Sequence, residues 1–391
     1  MIRGCTLLLL IRIRQYHWHT AGSTSRLARC RAGTYIPRVI DTEQKLADFL
    51  KVLESATWIA VDTEADSLHA YPEKVCLIQI STADGDFLVD PLADMRLDPL
   101  LEALNGHELI MHGADYDLRL LLKHHEFVPT AIFDTMLAAR LLGERQFGYS
   151  SLVERYLQVK LEKGPQKANW AIRPLTERME KYARNDTHYL RSLEDKLRAE
   201  LEAKGRLGWH QESCVRLIQE CTTPRPVDEE SIWRIKGSHA LDRPALAVLR
   251  ELWKWREEEA TLANRPPFFV LSHETMVALA NAGGLKHSVH TLLPRNISDR
   301  RRSGILQAIS RGRAVTSEKL PRLLVHRSHR PTEAERRRFL ELQTRRDQRA
   351  TELGIDPTLI ASRATLSDLA RDEKAHAADL MGWQRALMGM N

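Results

Sequence analysis

No two cysteines in this chain are spaced C-x-x-C. The five present, Cys5, Cys30, Cys76, Cys214 and Cys221, are scattered over 391 residues. This excludes a zinc ribbon and a disulfide framework and fits a reducing compartment. Acidic residues are missing from the first forty positions, where Asp41 is the first. That stretch instead carries Arg3, Arg12, Arg14, Arg26, Arg29 and Arg31. Its apolar run, Thr6–Ile11, is far shorter than the ~20 residues a membrane helix needs. An Arg-rich, acid-free start resembles an organellar transit peptide. It also fits an over-extended reading frame, although no Met lies between Met1 and Met95. We expect residues 1–34 to be a disordered basic extension or targeting segment outside the fold. The expected location is cytoplasmic, or organellar if that segment is a transit peptide, with no membrane association.

What is present suits two or three domains. The hydrophobic fraction of 43% is enough for a real core. The net charge of +6 is unevenly spread: residues 301–350 hold fourteen Lys and Arg against five Asp and Glu. Such a block attracts phosphate polyanions through counterion release, and equally suits a solvated helix face.

From Tyr35 the texture is globular. Helical spacing of Leu46, Phe49, Leu50 and Leu53 behind Thr42 predicts a helix. Strand patterns follow at Trp58–Thr63, Val75–Ser81, Phe87–Val89 and Glu108–Met111. Helices are predicted over Leu97–Leu104, Asp115–Lys123, Ile132–Leu142 and, as one segment, Leu175–Leu201. The expected organisation is an α/β domain over 35–212, a linker over 213–236, a helical domain over 237–316 and a second helical domain over 330–391. Ser272-His-Glu-Thr-Met-Val-Ala-Leu-Ala280 aligns with Ser362-Arg-Ala-Thr-Leu-Ser-Asp-Leu-Ala370, which suggests that a small helical unit is duplicated.

Three acidic segments carry the chemistry. In Trp58-Ile-Ala-Val-Asp62-Thr-Glu64, two carboxylates stand two apart at a strand end, so alternation places both on one face. Side-by-side carboxylates repel unless cations bridge them, which points to hard divalent metals. In His112-Gly-Ala-Asp115-Tyr116-Asp117, the aspartates open a helix after a strand. One Asp there is explained by the helix dipole; two are less well explained. In Tyr182-Ala-Arg-Asn-Asp186, Tyr182 and Asp186 share a helix face at i, i+4.

In this order and setting the segments resemble the DEDD exonuclease superfamily, in particular its tyrosine-bearing branch. Leu77-Ile-Gln79-Ile, Asp134-Thr-Met-Leu-Ala-Ala, Asn169-Trp170, Arg173-Pro174-Leu175 and Tyr182-Ala-Arg-Asn-Asp186-Thr-His-Tyr-Leu narrow the resemblance, over about residues 40–205, to the ribonuclease D family. The resemblance implies a ribonuclease-H-like α/β exonuclease domain, a mixed sheet flanked by helices. It implies that Asp62, Glu64, Asp117 and Asp186 ligate two divalent metal ions, Mg²⁺ or Mn²⁺. Asp117 is selected by its motif position, leaving Asp115 a supporting or capping role. Tyr182 would orient the attacking water, since a phenol with a pKa near ~10 is a poor base at neutral pH. His188 would stand beside the site, in a packing or surface role. Asn169 departs from the acidic residue that the pattern leads one to expect before Trp170.

Arg243–Ala260 followed by Asn264-Arg-Pro-Pro-Phe-Phe-Val-Leu-Ser272 resembles the HRDC domain, a small all-α module. The last sixty residues resemble a diverged second copy. Exonuclease followed by two HRDC-like domains is the ribonuclease D order. It implies a 3′→5′ exoribonuclease that releases nucleoside 5′-monophosphates from RNA 3′ ends, tRNA precursors among them, with no obligate protein partner. Two other readings stay open on sequence grounds: a DNA 3′ exonuclease, and a nucleic-acid-binding protein without activity.

Overall fold

In the computed structural model, the structure describes residues 27–29, 35–223, 228–323 and 329–390. The chain opens with β1 (Leu27–Arg29) paired antiparallel to β2 (Tyr35–Pro37). Residues 27–29 therefore do not follow the expectation of disorder for 1–34; the rest of that segment lies outside the described residues. Next come β3 (Val39–Ile40), α1 (Glu43–Ser55), β4 (Ile59–Ala65), β5 (Val75–Thr82), β6 (Gly85–Val89), α2 (Asp98–Asn105), β7 (Glu108–Met111), α3 (Asp115–His125) and β8 (Ala131–Asp134). Six strands form one mixed sheet in the order β3-β6-β5-β4-β7-β8. Strand β4 runs antiparallel to β5 and parallel to β7, and β8 is parallel to β7. One face buries Phe49, Leu53, Leu100 and Leu118 from α1, α2 and α3.

The helices α4 (Thr135–Leu142), α5 (Tyr149–Leu157), α6 (Glu177–His188), α7 (Leu190–Ala203) and α8 (Leu207–Thr222) complete the α/β domain. Three expectations are corrected here. The predicted helix Ile132–Leu142 begins as strand β8 and turns helical only at Thr135. No breaker separates the two; Asp134 makes the switch by accepting from the Leu137 amide at 2.9 Å as N-cap. The predicted helix Leu175–Leu201 is two helices. The Tyr149 hydroxyl enters the ladder where the Tyr189 amide would reach Asn185, donating to the Asn185 carbonyl at 2.8 Å and accepting from the Tyr189 amide at 3.3 Å. A side chain inserted in this way breaks a helix. The 212/213 boundary falls inside α8, which buries Cys214 and Cys221 in the same core as the sheet. Trp233, placed in the linker, is buried in the core of the next unit. Residues 224–227 of that linker lie outside the described residues.

Beyond it the described residues are helical: α9 (Arg243–Ala263), α10 (Pro267–Val270), α11 (His273–Gly284) and α12 (Asp299–Arg313), then α13 (Glu333–Leu353), α14 (Pro357–Ile360), α15 (Arg363–Arg371), α16 (Glu373–His376) and α17 (Gly382–Met388). The repeat is structural and keeps one offset of ninety residues. Helices α9 and α13 have 21 residues each, and both end in a left-handed cap, Asn264 and Gly354. Pro267 and Pro357 open the four-residue helices, and the Ser272 and Ser362 side chains cap the next helix on Thr275 and Thr365.

The two units dock differently. The first meets the α/β domain at Tyr71, whose hydroxyl donates to Glu257 and whose amide donates to Asn264 Oδ1 at 3.3 Å. The second shares a core with it, where Leu142, Leu197 and Leu201 pack with Leu366, Leu369 and Trp383. The rings of Trp209 and Trp383 stack at 5.0 Å, and buried Arg206 donates to the carbonyls of Leu141 and Leu353. None of the helices among the described residues is long and apolar enough to cross a membrane.

Candidate active site

Strand β4 outruns β7. Their pairing covers Ile59 and Ala60, so Asp62–Ala65 project past the parallel strand. Helix α3 starts in the space this leaves. Its start is pinned by Asp134, whose second oxygen accepts from the Ala114 amide at 2.8 Å. The Thr135 hydroxyl donates to the Met111 carbonyl at 3.0 Å and stands 2.9 Å from His112 Nδ1. This fixes the first turn of α3 so that Asp117 is buried, and it accepts a hydrogen bond from the Thr63 hydroxyl. Asp115 lies on the exposed side, paired with Arg119 at 3.0 Å, and accepts from the Cys221 thiol at 3.3 Å. The two aspartates are thus separated by face.

Helix α6 brings the third segment over the strand. Asp62, Glu64, Tyr182 and Asp186 line one cavity of about 800 Å³, with Tyr149 and Asn185 at the helix break. The loop before α6 closes its rim: a Cβ at Gly164 would meet Tyr182 Cδ2 at 1.5 Å, so only glycine allows this approach. His188 points elsewhere, with Nδ1 2.8 Å from Asp86. Asn169 holds its own turn, accepting from the Ala171 amide at 3.1 Å.

The electrostatics of the cluster are one-sided. Burial, then Asp117, Asp186 and Glu64, raise Asp62 well above the carboxylate range. Burial, then Asp186 and Asp117, push Glu64 up to about 9. Burial raises Asp186 to about 7, against a hydrogen bond from Tyr182. Burial likewise lifts Asp117 to about 6, with the Thr63 hydroxyl opposing it. For Asp62 and Glu64 every charge named is another carboxylate. Across the strand from Asp62 sits Gln79, fully buried, whose amide oxygen and nitrogen have no hydrogen-bond partner among the described residues. Uncompensated hard-oxygen donors beside an orphaned amide fit divalent cations. Among the described residues, no three His, Cys, Asp or Glu side chains are drawn into a closed metal shell. Asp117 is turned to the Thr63 hydroxyl.

These shifts carry a stability consequence with a definite sign. Carboxyls near 4 when unfolded and at about 6 to 9 when folded bind more protons in the native state. Their contribution is full below pH ~4 and is lost as pH rises through the folded values. In EDTA the Tm is expected to fall from pH 5 to pH 9, and Glu64→Gln to flatten the slope. Mg²⁺ or Mn²⁺ should raise Tm more at pH 9 than at pH 6. An identical slope in wild type and Glu64→Gln would sink this reading.

Of the five residues singled out in the sequence, Asp62, Glu64, Tyr182 and Asp186 line the cavity, and Asp117 lies beside them, bonded to Thr63. Sequence reasoning missed Thr63, Gln79, Tyr149 and Gly164. Only Gln79 had a signal, as a polar residue inside an apolar strand run.

A mixed sheet with acidic residues at the end of β4, crossed by a helix bearing a tyrosine and an aspartate, defines a 3′-5′ exonuclease domain. The family described as 3′-5′ exonuclease matches residues 37–202, and the HRDC domain matches 245–283. Ribonuclease D of Gluconacetobacter diazotrophicus is 30% identical over 369 residues, 92% of each chain. Ribonuclease D of Jannaschia sp. is 30% identical over 353 residues, 86% of this chain and 89% of that one. The crystal structure of Escherichia coli RNase D shares the fold, with a TM-score of 0.70 at 24% identity over 90% of this chain and 98% of that one. The chain belongs to the ribonuclease D family and is a 3′-5′ exoribonuclease of RNA processing.

Proposed function

We propose that Asp62, Glu64, Asp117 and Asp186 hold two divalent metal ions, Mg²⁺ or Mn²⁺, and that the cavity between β4 and α6 takes the RNA 3′ end. Bound there, the ions supply a water acidic enough to attack at neutral pH and charge stabilisation for the leaving 3′ oxygen. The single observation behind this reading is that Asp62 and Glu64 are raised by burial and by the Asp117 and Asp186 carboxylates beside them, with no cationic side chain set against either. The Tyr182 hydroxyl orients the attacking water by hydrogen bonding. Its own pKa is raised by burial and by Asp186, so it stays protonated, its proton on Asp186 and its oxygen left to accept from the water. The ring is held by Gly164 on one side and by Trp170 at 6.1 Å on another. The Asp186 carboxylate accepts a hydrogen bond from Tyr182, one turn earlier on the same helix.

The substrate class is RNA with a free 3′ end, and structured RNA such as tRNA precursors is the physiological form we favour. The 90-residue repeat supports reading the last unit as a second, diverged HRDC-like domain. The domains run from 35 to 222, from about 228 to 321, and from 330 to 391. The test is a 5′-labelled single-stranded RNA and its DNA counterpart, incubated with Mg²⁺, Mn²⁺ or EDTA. A ladder shortening from the RNA 3′ end with either metal, and absent in EDTA, is expected. Shortening in EDTA would overturn the metal assignment.

A further inference from the structure

A second cavity, of about 600 Å³, lies between the α4–α5 loop and the C-terminal helical unit. The loop side supplies Arg140, Arg145 and Phe147; the other side is the turn from α13 to α14, with Gly354 and Asp356. At its edge the two backbones touch: a Cβ on Gly143 would meet the Gly354 carbonyl oxygen at 2.1 Å. The chain runs directly from this cavity to the one at β4 and α6. Phe147 lines the second, and the next residues, Gly148 and Tyr149, line the first.

The charges in this cavity are unequally engaged. Glu144 is held by Arg155 at 2.8 Å and by the Tyr156 hydroxyl at 3.0 Å. Asp356 accepts from the Thr358 amide at 2.7 Å and from its hydroxyl at 2.6 Å. Among the described residues, Arg140 and Arg145 stand in no salt bridge. The Arg140 guanidinium lies 5.5 Å from the centre of the Phe147 ring, and that ring is 38% exposed. Two guanidinium groups outside any salt bridge, with Arg140 acting on Asp356 only through its charge and lying over the part-exposed Phe147 ring, suit a single-stranded nucleic acid, since phosphates meet the cations and a base stacks on the ring.

We infer that this second cavity binds the RNA nucleotides immediately upstream of the 3′ end, with Arg140 and Arg145 on backbone phosphates and Phe147 under a base. The inference rests on the first cavity being the catalytic one. An enzyme that removes one nucleotide at a time presents a new base at every position after each cleavage. Contacts outside the reacting centre must then tolerate any base, which phosphate and stacking contacts do and base-edge hydrogen bonds do not. The C-terminal unit forms the opposite wall and so becomes part of the substrate path.

The test uses the full chain in EDTA, where binding is read without cleavage, with fluorescein-labelled single-stranded RNA of two and of ten nucleotides. Arg140→Ala/Arg145→Ala and Phe147→Ala are each expected to weaken binding of the ten-nucleotide RNA about tenfold. Dinucleotide binding should stay as in wild type. The double variant should also lower the salt slope by about 1.4, two phosphates at ~0.7 each on a single strand, and Arg140→Lys/Arg145→Lys should restore the slope. Equal losses on both lengths, or unchanged binding of the longer RNA, would overturn the inference. Failure of the catalytic reading shows elsewhere: Asp62→Asn would still cleave, while the length-dependent losses persisted.

Discussion

Asp62→Asn is expected to lower RNA cleavage at least a thousandfold, a loss of ~4 kcal/mol in transition-state stabilisation. The substitution keeps size and shape and removes only the charge. RNA binding in EDTA should stay within about twofold of wild type, because phosphate contacts elsewhere dominate affinity. The same variant should melt no lower than wild type in EDTA, and higher above pH 7. In the native protein, burial and three carboxylates disfavour the Asp62 charge, so deleting it relieves repulsion. Loss of activity together with stabilisation separates a ligand from a packing residue. Cleavage near the wild-type rate would sink the metal-site assignment, and a lower Tm would make Asp62 structural.

Removal of residues 329–391 should have the largest effect on stability. Those residues do not form an independent appendage, for they complete the core that holds Leu141, Leu142, Leu197 and Leu201. Deletion also strips the Arg206 bond to the Leu353 carbonyl and frees Glu212, which accepts from the Gly382 and Trp383 amides. Uncovering each large apolar side chain costs ~1.5–3 kcal/mol, against a total stability of ~5–15 kcal/mol for a domain. The truncated chain should aggregate or melt ~10 °C or more below the full chain. Trp383→Ala alone should cost ~3 kcal/mol in denaturant unfolding. A truncated protein melting within a few degrees of wild type would show that the unit folds apart from the α/β domain.

Much of this was legible in the sequence because the signals are local. Asp62 and Glu64 follow from strand alternation, Tyr182 and Asp186 from helical spacing, and the caps at Ser272 and Ser362 from matching words. What was illegible depends on contacts distant in the chain. Nothing near residue 189 announces a helix break, because the cause is a hydroxyl forty residues away. Strand β8 passed for helix because four apolar-rich residues run unbroken into a helical pattern, and periodicity cannot divide so short a run. The α8 boundary was lost for a similar reason. The polar stretch from Cys221 onward reads as linker, while the burial that ties Cys214 and Cys221 to the sheet is a tertiary fact. Choosing between Asp115 and Asp117 needed a family resemblance in the sequence, whereas burial decides their faces directly.

The two copies of the helical repeat have come under different constraints. In the second copy the flank facing α7 and α8 is interior, so a substitution there is felt as a defect in the α/β domain. In the first copy, the α/β domain is met at Tyr71, which hydrogen-bonds Glu257 and Asn264 and packs against that unit's core from outside it. Substitutions are thus expected to be tolerated less well in the second unit than in the first. Variation in substrate preference among related chains is expected to accumulate on the first.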